Sequence, residues 1–186
     1  MNAKSLSWGF TRRAASAVLI TAAIVLAWAS PARRQVTLRG AGQGGLLVDP
    51  ARDQLGGGGI VSAWLGYSPE LWPIIVVPEI GGGFAGFGDP SGRLFGRAVM
   101  GVRGGVAASV EPSLSLHGGY SYRAGDDPLR PLAHHAFTYD AIVGLDFRVS
   151  RALSLGPQLS YLGFVFPGDS TVDHVIAAGL GITGWL

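Results

Sequence analysis

The sequence predicts an all-β protein, an antiparallel up-and-down transmembrane β-barrel of about eight strands after an N-terminal signal peptide. Three observations carry that prediction. Residues 136–150 place Phe137, Tyr139, Ala141, Val143, Leu145, Phe147 and Val149 on one face, against Thr138, Asp140, Asp146, Arg148 and Ser150 on the other. Side chains alternate faces along a strand, so one face is continuously apolar and the other carries charge. The run exceeds an ordinary strand and is long enough to cross a bilayer at a tilt. Second, the chain opens on an export signal. Third, similar alternation recurs along the rest of the chain, between connections that are by turns longer and shorter.

The signal is read over residues 1–29. Lys4, Arg12 and Arg13 form its positive region, an apolar run over 14–27 follows, and Ala27-Trp28-Ala29 supplies a small-x-small cleavage pattern. That run is shorter than the roughly 20 residues a spanning helix needs. Residues 30–186 then form one barrel domain. The signal holds three of the 14 basic residues and no acid, leaving 11 against 12 acids, a net of −1. The basic character of the whole chain therefore belongs to the export segment and implies no nucleic-acid partner. The absence of cysteine excludes disulfides and thiol chemistry. The 30 glycines lie largely inside apolar stretches, where a tightly curved sheet needs bends and close approach.

Taken in order, residues 35–48 set Val36, Leu38, Leu46 and Val48 against Thr37, Arg39 and Gln43. Residues 60–67 form a shorter apolar strand whose facing stays open. Residues 74–87 set Ile74, Val76, Ile80 and Phe84 against Glu79, and residues 94–107 set Leu94, Ala98, Met100, Val102 and Val106 against Arg97 and Arg103. Residues 113–123 alternate Leu114, Leu116, Tyr120 and Tyr122 with Ser113, Ser115, His117, Ser121 and Arg123. Residues 136–150 follow, then 152–166, with Leu153, Leu155, Leu159 and Tyr161 against Ser154, Gln158 and Ser160, and last 175–186. Short connections at 68–73, 109–112 and 150–151 face mostly longer ones at 49–58, 88–93, 124–134 and 167–173, rich in Gly, Pro and Asp. This matches short periplasmic turns and longer external loops. Lipid cannot satisfy backbone polar groups, so the sheet must close. The outward aromatics Phe84, Tyr120, Tyr122, Phe137 and Tyr139 collect near the loop ends, as an interfacial girdle should.

By this pattern the chain resembles the small eight-stranded outer-membrane barrels of the OmpA/OmpX type, over essentially the whole of residues 30–186. Its C-terminus keeps the apolar alternation Leu180, Ile182, Leu186, with the aromatic, Trp185, one position before the end. The resemblance implies outer-membrane lipid and the barrel-assembly machinery as partners, a monomer, and no cofactor.

The expected interior of such a barrel is Arg39, Glu79, Arg97, Arg103, His117, Arg123, Asp140, Asp146 and Arg148, with Gln43 and Gln158, and Glu79 is expected to pair with Arg103. Eight strands enclose a space that side chains can fill, and buried charges need partners. The expectation is therefore a packed polar plug rather than a conduit. Metal chemistry finds little support: His134 and His135 are adjacent and should point to opposite faces, and Asp173-His174 reads as a solvated loop end. Ser115 and His117 share an inward face. Outer-membrane lipid acyl hydrolases, which resemble this fold, use a His-x-Ser order on an accessible face, so no catalytic residue is assigned. Residues 56–59, all glycine, lack the lysine and helix of a phosphate loop. The expected function is structural or interactive, with a narrow porin-like channel, a lipid-modifying enzyme and a soluble barrel around an apolar ligand as alternatives.

Overall fold

A computed structural model describes residues 36–50, 53–68, 74–88, 93–106, 108–124, 134–167 and 172–186. The signal segment read over residues 1–29 lies outside the described residues. Eight strands follow one another: β1 (Val36–Asp49), β2 (Gln54–Tyr67), β3 (Ile74–Phe87), β4 (Leu94–Val106), β5 (Val110–Ala124), β6 (His135–Arg148), β7 (Leu153–Val165) and β8 (Val172–Trp185). Each pairs antiparallel with the next, and β1 pairs with β8 from Thr37↔Trp185 to Val48↔His174, closing the barrel. No sheet edge is left, so the backbone polar groups are satisfied within the ladder, as a lipid environment demands. Both ends of the described chain lie at one rim, the turn end. The C-terminal ends of β1, β3, β5 and β7 and the N-terminal ends of β2, β4, β6 and β8 lie at the other, the loop end.

The pleat sorts the side chains. Outward positions carry exposed aliphatics and aromatics such as Met100 (66 %), Leu116 (52 %), Ile80, Leu159 and Leu180. Inward positions carry Arg39 (1 %), Glu79 (4 %), Arg103, Asp140 and Asp146. The facing left open for β2 resolves with Ile60, Ser62 and Trp64 inward and Leu65 and Tyr67 outward. A soluble barrel around an apolar ligand would need the reverse arrangement.

Three elements begin earlier than expected, β2 by the most. Residues 49–58 read as a loop, yet β2 begins at Gln54 and the first connection shrinks to residues 50–53, with Asp53 in the left-handed region (φ 52°). Four consecutive glycines carry no side chains to alternate, so periodicity cannot see them. Packing requires glycine at one of the four: a Cβ on Gly58 would sit 2.1 Å from the carbonyl oxygen of Gly86 and 2.5 Å from the Phe87 ring. β5 and β8 also begin three residues earlier than their alternation suggests, at Val110 and Val172, which draws Glu111 and Asp173 into the barrel wall.

Candidate functional site

The interior is the candidate site, and it has two storeys. The storey toward the turn end is polar. Arg39 on β1 donates to Ser115 Oγ at 2.8 Å and lies 3.6 Å from Glu79, with its guanidinium 4.8 Å from the centre of the Trp64 ring. Glu79 also lies 3.1 Å from His117 Nε2, while His117 Nδ1 lies 2.5 Å from Asp140. Asp140 accepts from Arg97 at 2.6 Å, and Arg97 donates onward to Ser62 at 2.9 Å. Trp64 stacks on His117 with ring centres 5.7 Å apart. Nearer the rim, Arg103 pairs with Asp146 and Arg148 with Glu111. Gln43 accepts from Ser160 at 2.9 Å, and Gln158 is likewise buried. Each charge meets an opposite one, which keeps the cost of desolvation bearable.

Above this network the interior becomes apolar. Leu47, Ile60, Phe87, Phe95, Phe164 and Phe166 belong to one buried cluster. Phe95 stacks on Phe164 at 4.5 Å and meets Phe87 edge-on at 6.3 Å. Arg123 lies 5.3 Å over the Phe166 ring. The loop end is capped by Arg93, which donates to Asp49 at 2.8 Å and to Asp173 at 3.3 Å, all three buried.

The nine charged or titratable residues read as interior from the sequence all project inward, Arg148 being the one left partly exposed at the turn end. Their pairing differs from expectation. Glu79 is held by Arg39 and His117, and Arg103 by Asp146. In a narrow barrel a long side chain reaches past its hydrogen-bonded neighbour: Arg39 and Glu79 are two strands apart, as are Arg97 and Asp140. Sequence reasoning also missed the apolar storey and four charged residues, Asp49, Arg93, Glu111 and Asp173, assigned to connections. Asp173 had read as solvated, but its strand begins at Val172 and turns it inward. The parity of these residues with their strands was the available signal.

Ser115 accepts from Arg39, and both His117 nitrogens face carboxylates, so the two do not form a nucleophile and base. Among the described residues no group of three or more His, Cys, Asp or Glu is arranged to hold a metal ion. His134 and His135 do not diverge as adjacent strand residues would. His134 precedes β6, and both rings pack on Tyr122, at 5.9 and 5.5 Å. The expected girdle residues Phe84, Tyr120, Tyr122 and Phe137 are exposed on the outer face, and Tyr139 is half-buried there.

No protein-family model matches the chain, and no curated protein sequence does. Solved structures do. The Neisserial surface protein A structure superposes with a TM-score of 0.63 at 9 % identity, covering 81 % of this chain and 97 % of that one. The outer membrane enzyme PagL superposes with a TM-score of 0.55 at 13 % identity, covering 80 % of this chain and 99 % of that one. At such identities the likeness is one of fold, that of the small outer-membrane β-barrel.

Proposed function

We propose that this is an integral outer-membrane barrel with a structural or surface-interaction role, monomeric, non-conducting and without enzymatic activity. The observation that carries the reading is the filled interior: a paired polar network below, a stacked phenylalanine cluster above it, and the Arg93 cap at the loop end. A porin-like conduit needs a continuous wet path, and buried rings packed at 4.5 Å interrupt one. A lipid-modifying enzyme needs its nucleophile where lipid can reach it, whereas Ser115 and His117 are buried inside and bound to other partners. Outer-membrane lipid and the barrel-assembly machinery are the partners this reading requires.

The test begins with heat-modifiability. Membrane fractions run on SDS gels without boiling should give a faster-migrating band, confined to the outer membrane, that shifts on boiling. Planar bilayers containing the purified barrel should then show no steady conductance. Recovery in the soluble periplasmic fraction would overturn the membrane assignment, and sustained unitary currents would replace the plug with a channel.

A further inference from the structure

Four of the five tyrosines and three of the four histidines collect on one outer face, over β5–β8 toward the loop end. Two pairs within this group share one geometry. Tyr120 Oη meets His135 Nδ1, and Tyr161 Oη meets His174 Nδ1 at 2.6 Å. A phenol is the stronger donor and an unprotonated imidazole nitrogen the stronger acceptor, so Nδ1 accepts and the ring proton resides on Nε2. A doubly protonated ring would carry that proton as well. His135 is exposed and His174 partly so, and Nε2 of neither has a partner among the described residues.

Aromatic residues run between the two pairs, beginning at Phe137, which lies opposite Tyr120 in the β5–β6 ladder. Ring centres of Phe137 and Tyr139 lie 6.5 Å apart, and those of Tyr139 and Tyr161 lie 6.2 Å apart. Tyr139 rests over Gly163, where a Cβ would come within 2.3 Å of its ring. The described carboxylates of these strands, Glu111, Asp140, Asp146 and Asp173, are all buried inside the barrel. The face therefore offers N–H donors and flat apolar rings, and the carboxylates of its own strands point away from it. An interfacial girdle needs only amphipathic rings. It does not need imidazoles oriented by phenols.

We propose that this ribbon binds lipids with phosphorylated headgroups, with His135 and His174, two strands apart, each donating from Nε2 to the phosphate of its own lipid while Phe137 and Tyr139 lie along the acyl chains. The proposal rests on the transmembrane reading above, which the unboiled gel band tests separately. The experiment uses the folded full barrel in octyl glucoside, with its histidines labelled with ¹⁵N, titrated with short-chain phosphatidic acid. The expected result is a saturable shift of the His135 and His174 signals, with interior His117 unmoved as an internal control. Diacylglycerol, which lacks the phosphate, should leave them in place. The double substitution His135→Ala with His174→Ala should weaken binding at least tenfold, as loss of hydrogen bonds to a charged group implies. Equal response to diacylglycerol, saturation by inorganic phosphate over the same concentrations, or unchanged affinity in the double variant would overturn it. The heat-modifiable band of each variant reports separately that the barrel has formed.

Discussion

At the residue scale, the interior charges matter most for what happens when one loses its partner. Arg103 and Asp146 are both buried and paired. Asp146→Ala would leave Arg103 an uncompensated buried charge, and the expected loss is about 3–5 kcal/mol, read as a lower urea midpoint for the barrel refolded in lipid vesicles. Replacing both, with Arg103→Met and Asp146→Leu, should recover most of that loss, because no ion is then stranded. Equal midpoints for the single and double variants would show that the pair contributes only bulk. Which face each charge occupies was readable from parity alone. The partner was not, because His117 and Asp140 pair across adjacent strands while Arg39 reaches Glu79 past β2.

At the element scale, glycine separates into two kinds. A Cβ on Gly119 would stand 2.1 Å from the Ala98 carbonyl oxygen and 2.7 Å from Val99 Cα, both backbone. Gly119→Ala must therefore push β4 away from β5, and a loss of about 1–3 kcal/mol is expected. On the outer face, Gly42 would meet nothing within 4 Å. Gly42→Ala should instead stabilise β1 by about 0.5–1 kcal/mol, because glycine surrenders more backbone freedom on folding. Unfolding midpoints in vesicles decide both, and an equal effect at the two sites would refute the distinction. The same property limited what the sequence could say about elements. Strands β3, β4 and β6 were legible because bulky side chains alternate along them. The first half of β2 was not, since residues 56–59 offer no alternation, and the close approach of β3 explains Gly58 but not Gly57, which faces open space.

At the scale of the whole molecule, closure ties every facing to every other. A shift of one residue in any strand would turn its aliphatics inward and its charges into lipid, so the eight registers hold or fail together. Leu116 tests this directly. It lies midway along β5, points outward, and neighbours Val102 on β4 and Ala141 on β6. If the exterior meets hydrocarbon, Leu116→Arg should cost about 2–4 kcal/mol, measured as the unfolding free energy in vesicles. The same substitution on a water-facing strand should fall within about 0.5 kcal/mol of neutral. A neutral result would mean that the apolar belt is covered by something other than lipid. A full penalty would place the middle of β5 in the bilayer. With both chain ends at one rim and the Arg93 cap at the other, it would also locate the Tyr–His ribbon of β5–β8 toward the loop-side interface, at the depth a lipid headgroup occupies.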